Sequence, residues 1–352
     1  MNIGFLLHYR PDEAAWMALC LADHLWSHGD NDVQMVSMMA PVNYPADSEW
    51  ANRVHAYRPL EDLRIQLGRP QHLFSTVALP LEQITSLRQN GTACHFLCCW
   101  DELDRNDIFR LNAFNTVLCP SRASYQWLSQ YINSDLRLIH WDTGDPFIRD
   151  WPDETASKQQ VQVALYWPLD GDQSRRQDLS ILPLLTQFLH KEPHYYLSVS
   201  YPRDLPAAEL HRLQKLYGLA AGRVDLYSEP TALRRRYLAN HSDLVLWPTR
   251  TEGAGLTGLM ALAASTPVVA YDHPVVGELI RDDKNGRLAA CELHIDDLGV
   301  PRVEPNPEGF LDILSRALRD RSRWPTWRFN TNSQLFERRT QFRLAIAELL
   351  RS

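Results

Sequence analysis

No stretch of the 352 residues is long and apolar enough to cross a bilayer. The longest uncharged run, Gly253 to Tyr271, is broken by Gly, Ser, Thr and Pro and reads as a buried helix followed by a strand. The opening residues, MNIGFLLHYRPDE, lack the positive n-region of a secretory leader and soon turn acidic, which points to a cytoplasmic protein. Lysine is missing from residues 1–150, which hold 11 Arg against 18 Asp plus Glu, whereas residues 151–352 balance 25 basic with 25 acidic side chains. The whole formal charge of -7 therefore sits in the first part, where it would repel a phosphate backbone and disfavours stable binding to duplex nucleic acid. Cysteine is scarce as well. Of the six, Cys94, Cys98 and Cys99 cluster in CHFLCCW, but no second C-x-x-C pair or His pair follows at zinc spacing. No metal is expected, and these thiols read as small apolar side chains of a buried strand. Repeats of solenoid length and low-complexity tracts are also missing.

What is present is the composition of a globular protein, 45% hydrophobic and 22% charged. The length suits two domains of roughly 100–200 residues each. MNIGFLLH, EAAWMALCLADHLWSHG and DVQMVSMM read as strand, helix and strand, and HLFSTVAL, ACHFLCCW, FNTVLCPS and LRLIHW continue the apolar runs. SRASYQWLSQYI opens with a Ser suited to an N-cap. After a polar, turn-rich stretch the alternation restarts at VQVALYW and runs through to PVVAYD. The expectation is an α/β chain of two Rossmann-like, doubly wound domains, residues 1–150 and 151–328, with a terminal amphipathic helix over 329–352 that packs Leu335, Phe336, Phe342, Ile346 and Leu349 on or near one face. The triple Arg at 234–236 reads as the solvated face of a helix.

Residues 251–272, TEGAGLTGLMALAASTPVVAYD, contain G-x-G-x-x-G at Gly253, Gly255 and Gly258, with Asp272 about twenty residues on. That spacing is shared with dinucleotide-binding loops, and an NAD-dependent oxidoreductase is one reading. A dinucleotide loop, however, starts directly after the first strand of its domain. Here TRTE intervenes, and the motif falls late in the second half.

The longer segment RTEGAGLTGLMALAASTPVVAYDHPVVGELIRDDKNGRL resembles the donor-site region of retaining glycosyltransferases with the GT-B fold (family 4-like, glycosyl transferases group 1). The correspondence runs through Glu252, Gly253, Gly255, Leu256, Ala261, Ala263, Thr266-Pro267-Val268, Glu278 and Asn285-Gly286, and NTVLCPSRASYQWL is similar to a late strand and helix of that family's acceptor domain. The resemblance implies an enzyme, a hexosyl- or pentosyltransferase, that moves a sugar with retention from a nucleoside-diphosphate sugar to an acceptor, and a terminal helix that crosses back to the first domain. It implies a donor cradle at Gly253, Ala254, Gly255, Leu256 and Thr257, where backbone N–H groups at a helix start meet a diphosphate. Glu252 would bond hydroxyls of the transferred sugar, or simply cap the helix. Arg175 or Arg176 would clamp the diphosphate, unless both are surface residues.

Two departures accompany the resemblance. The family's second Glu, expected on the ribose, is Met260, and a thioether cannot accept from two hydroxyls. The glycine-rich loop after the first strand is replaced by HYRPDEAAW, where His8 and Arg10 are candidates for the acceptor side. A protein that binds a nucleotide or a partner without transfer is therefore a further alternative. His95 and Asp101, at or after a strand end in HFLCCWDELDRND, complete the acceptor candidates, Asp101 as an acceptor-orienting carboxylate or a mere loop cap. The acceptor itself, whether glycan, small molecule or modified nucleobase, is not specified. No cofactor or metal is expected beside the nucleotide sugar.

Overall fold

A computed structural model describes residues 1–7, 13–27, 31–38, 54–58, 62–100, 103–142, 160–166, 180–201, 207–219, 222–228 and 240–351. The chain divides into two units, Met1–Gly144 with Arg338–Ser352, and Asp145–Glu337. The boundaries read from sequence, 150/151 and 328/329, compare with 144/145 and 337/338.

The first unit begins β1 (Asn2–Leu7), α1 (Glu13–Ser27), β2 (Asp32–Ser37), β3 (Val54–Ala56), α2 (Leu63–Gln66) and β4 (His72–Ser75). It continues with α3 (Leu81–Gln89), β5 (Ala93–Leu97), α4 (Arg105–Leu111), β6 (Thr116–Cys119), α5 (Arg122–Leu128) and β7 (Asp135–Leu138). Its seven strands pair in parallel in the order β3-β2-β1-β4-β5-β6-β7. β1, β4 and β6 are buried on both faces, which is why they read as continuous apolar runs. Ser121 caps α5 through a reciprocal pair, its Oγ accepting from the Ser124 N–H at 3.1 Å while the Ser124 Oγ accepts from the Ser121 N–H at 3.3 Å. The cysteines are reduced and, apart from half-buried Cys291, buried. Burial pushes the Cys94 and Cys119 thiols up to about 12, which makes them packing groups, not nucleophiles.

In the second unit β8 (Val161–Tyr166), α6 (Ile181–Lys191), β9 (Tyr195–Tyr201), α7 (Ala207–Leu219), β10 (Val224–Ser228), β11 (Leu244–Trp247), α8 (Leu256–Ala263), β12 (Val268–Tyr271), α9 (Pro274–Leu279) and β13 (Gly286–Ala289) follow one another. The parallel sheet has the order β10-β9-β8-β11-β12-β13. An antiparallel hairpin, β14 (Glu292–Ile295) and β15 (Pro301–Glu304), then leads to α10 (Pro307–Arg319) and α11 (Trp324–Leu349). Leu182, Leu185 and Leu189, spaced three and four apart on α6, share one core with Leu165, Leu246, Tyr271, Phe310, Trp324 and Trp327.

Helix α11 starts five residues before the expected point, because Pro325 falls in its first turn, where the missing N–H has no helical partner to lose. Leu335, Phe342, Ile346 and Leu349 are buried as expected, but Phe336 is 73% exposed. Leu335 stands seven residues before Phe342 and shares its stripe, whereas Phe336 is turned about 100° away. Within the first unit, Arg339 donates to Asp142 Oδ2 at 2.9 Å and Phe342 meets the Trp141 and His24 rings.

His72 Nδ1 and His95 Nε2 lie 3.0 Å apart, and His95 stacks on Phe74. Burial, helped by the neighbouring His72 and Arg137, drives His95 from its ordinary 6.5 down to about 3, and burial lowers His72 too. Above pH 6.5 the ring is neutral in folded and unfolded chains, so it adds no pH dependence. Below 6.5 the unfolded chain takes up a proton that the folded His95 refuses, and stability falls by about 1.4 kcal/mol per pH unit on this ring's account until about pH 3. The gap between the denaturant midpoints at pH 7 and pH 5 should therefore narrow in His95→Phe, and a pH dependence identical to wild type would show that this ring is not acid-sensitive.

Candidate functional site

In an open parallel sheet, ligands bind beyond the carboxyl ends of the strands where the winding direction reverses. In the second sheet that point lies between the adjacent strands β8 and β11. The chain leaving β8, residues 167–179, lies outside the described residues and carries Arg175 and Arg176. The chain leaving β11 is residues 248–255, the glycine loop singled out in the sequence.

The loop is built by its own hydrogen bonds. Thr249 Oγ1 donates to the Thr251 carbonyl at 2.6 Å, and Glu252 Oε1 accepts from the Gly255 N–H at 2.9 Å. Gly255 then takes a left-handed conformation, φ 78°, as the residue that starts α8. The first helical bond runs from the Leu259 N–H to the Gly255 carbonyl at 2.9 Å, which leaves the N–H groups of Leu256, Thr257 and Gly258 without an intrahelical acceptor. The N-cap residue, Gly255, has no side chain to offer these donors, and all eight residues of α8 are buried. A buried helix start with unsatisfied donors and the positive end of its dipole is suited to an anion such as a phosphate.

The three glycines serve different ends. A Cβ at Gly255 would come within 2.4 Å of Leu279 Cδ1 on α9, at a φ that side chains resist. At Gly258 a Cβ would meet the Trp247 ring at 2.5 Å, so this glycine seats α8 against β11. Gly253 forms the bend between Glu252 and Ala254. Met260, in the middle of α8, is 4% exposed.

The elements around the loop explain other residues of the motif. Buried Asn285 accepts from the Arg281 N–H at 2.8 Å and donates to the Leu279 carbonyl and Gln334 Oε1, both at 2.9 Å, so it ties the end of α9 to α11. Gly286 follows because a Cβ there would lie 2.2 Å from the Val268 carbonyl. Sequence reasoning did not single out His273, which caps α9 through Nδ1 and lies beneath the hairpin. A polar residue ahead of Pro274, at the first position of a helix, was the available signal.

On the acceptor side, His8, Arg10 and Asp101 lie outside the described residues. His95 is described and corrects its expected position: it lies mid-strand in β5, 2% exposed against His72 and Phe74, not at a strand end. The uninterrupted apolar run CHFLCCW gave no mark of where the strand stops.

Two parallel doubly wound sheets, the second of order 3-2-1-4-5-6, give this chain the GT-B fold. Residues 209–299 match the family Glycosyl transferases group 1, which places the glycine loop and α9 within the matched segment. Solved structures agree over nearly the whole chain. HepE from Anabaena, in complex with UDP and glucose, superposes with a TM-score of 0.73 at 15% identity, covering 99% of each chain. Sucrose-phosphate synthase from Thermosynechococcus elongatus gives 0.69 at 15%, covering 100% of this chain and 98% of that one. WaaG, a glycosyltransferase involved in lipopolysaccharide biosynthesis, gives 0.62 at 14%, covering 95% of each. No curated protein matches at the level of sequence.

The packing of Gly258 is directly testable. In an ordinary helix interior, Gly→Ala stabilises by about 1 kcal/mol. Here Gly258→Ala should instead destabilise by about 1–3 kcal/mol, because the methyl drives into the Trp247 ring. A rise in the denaturant midpoint would refute the packing role.

Proposed function

We propose that the chain transfers a sugar, with retention, from a nucleoside-diphosphate donor held by the second unit to an acceptor held by the first. The observation that carries this reading is the buried, glycine-led start of α8 at the reversal point of the second sheet. The family match over residues 209–299 and the nucleotide-bearing relatives support it. In this proposal the N–H groups of Leu256, Thr257 and Gly258 receive the diphosphate. Arg175 or Arg176, on the chain after β8, neutralises charge on the leaving group.

Glu252 acts on the transferred sugar in the same proposal. Its Oε1 accepts from the Gly255 N–H and so shapes the turn, and the proposal gives the same carboxylate a hydroxyl of the sugar. In a front-face reaction the leaving phosphate takes the acceptor's proton, and no separate base is required. Asp101 remains the acceptor-orienting candidate and His8 and Arg10 remain acceptor-side candidates, while the burial of His95 removes it from this role.

A second reading, nucleotide binding without transfer, is favoured by one residue. Met260 offers no carboxylate to a ribose. Incubating the protein with UDP-, dTDP- and GDP-sugars and following released or transferred sugar, with its anomeric configuration, separates the two readings. Binding without any sugar release would favour the second.

The two tasks given to Glu252 can be split. Glu252→Gln keeps an oxygen for the Gly255 N–H and should leave UDP affinity within about threefold, while turnover falls by about a hundredfold, a typical loss for a positioned polar group. Glu252→Ala should weaken both. Wild-type turnover in Glu252→Gln would remove the residue from the chemistry.

A further inference from the structure

The hairpin after β13 is attached to the glycine loop and to α9 at once. In an antiparallel pair, alternate residues turn both backbone groups toward the partner strand or both away from it. Arg302 and Glu304 stand opposite His294 and Glu292, and Pro301 and Val303 opposite Ile295 and Leu293. The outward groups of β15 are those of Pro301 and Val303, and both are taken. The Val303 N–H donates to the Arg250 carbonyl at 2.7 Å and the Arg250 Nε–H returns to the Val303 carbonyl at 3.3 Å. The Pro301 carbonyl lies 3.2 Å from His273 Nε2. One strand edge thus grips the loop two residues before Glu252 and the helix start that packs on Gly255.

His273 joins these parts. Its ring is fully buried, and its Nδ1 lies 3.2 Å from the Val275 N–H. An N–H can only donate and a carbonyl can only accept, so Nδ1 carries the lone pair and Nε2 the proton. Val275 and Leu279 of α9 face Gly255, so a shift of α9 moves the start of α8 with it. The hairpin is braced across its own turn by one carboxylate. Asp296 Oδ1 accepts from the N–H groups of Leu298 and Val300, each at 2.9 Å, and its Oδ2 accepts from Arg302 Nε at 2.8 Å and Nη2 at 2.7 Å.

We propose that His273, braced on β15 through the Pro301 carbonyl, is a positioning residue that sets the donor loop for the nucleoside diphosphate. The role rests on the donor reading given above. It makes the hairpin, which lies outside both the sheet and the glycine motif, a determinant of donor affinity.

Two substitutions separate this role from simple helix capping. Asn is among the best N-caps, but it ends near the position of Nδ1 and cannot reach Pro301. Gln reaches the position of Nε2 and can donate to Pro301, but it gives up the cap. Calorimetric titration of the full chain with UDP and dTDP should find His273→Gln within about threefold of wild type and His273→Asn about tenfold weaker, the effect of one buried hydrogen bond. Asp296→Ala, which loosens the hairpin and leaves His273 in place, should also weaken the nucleotide. His273→Asn binding as tightly as His273→Gln, or more tightly, overturns the proposal, as does an Asp296→Ala affinity equal to wild type. A wild type that binds neither nucleotide removes the donor reading itself, and this role with it.

Discussion

The second unit is organised around one close approach, that of α9 to the turn at residues 252–255. A Cβ at position 255 would lie only 2.4 Å from Leu279, and the left-handed φ of 78° favours glycine there, so the residue that starts α8 brings no side chain to the first N–H groups of the helix. Much of the surrounding structure fixes this contact. Asn285 and Gln334 anchor the end of α9, His273 anchors its beginning, and Glu252 closes the turn from within. A motif that reads as a phosphate loop is thus first a packing solution, and N–H donors without an intrahelical acceptor are its consequence.

The same interdependence extends to the lower part of the unit. Arg287 lies against Trp327 and bonds Asp320, with Asp283 3.2 Å away, so β13, the end of α10 and the start of α11 are joined around one guanidinium. The Asp partners raise its pKa against the lowering effect of burial. Trp324 adds a bond from its Nε1–H to the Ala317 carbonyl at 3.0 Å. These contacts hold the helix from which Gln334 reaches Asn285. Loss of a residue far from the glycine loop therefore has a physical path to it, through packed elements and named hydrogen bonds.

Most of the sheet architecture could be read from the sequence because strands buried on both faces are continuous apolar runs, as in GFLL, TVLC and LVLW. The capped start of α5 at Ser121 was equally legible. Short edge pieces were not: β3 spans three residues, and β14, in which Glu292 and His294 alternate with Leu293 and Ile295, is exposed throughout. The start of α10 carries its signal in Asn306-Pro307, a capping side chain followed by a proline at the first helical position. For the site, the sequence located the turn and Glu252, yet could not distinguish glycines kept for φ, for Trp247 and for a bend, since all three give the same letter. His273 was hidden for a different reason. Its partners, Val275 and Pro301, are backbone groups, one of them 28 residues away, and a backbone contact leaves no residue pattern.

The central claim is that the donor diphosphate sits on the start of α8. Amide NMR of the full chain, titrated with a nucleoside-diphosphate sugar, tests it most directly. Phosphate oxygens accepting from Leu256, Thr257 and Gly258 should move those three amide protons downfield, and further than any other amides of the second unit. If the three resonances stay in place while the ligand saturates the protein, the diphosphate binds elsewhere and the account of the loop fails.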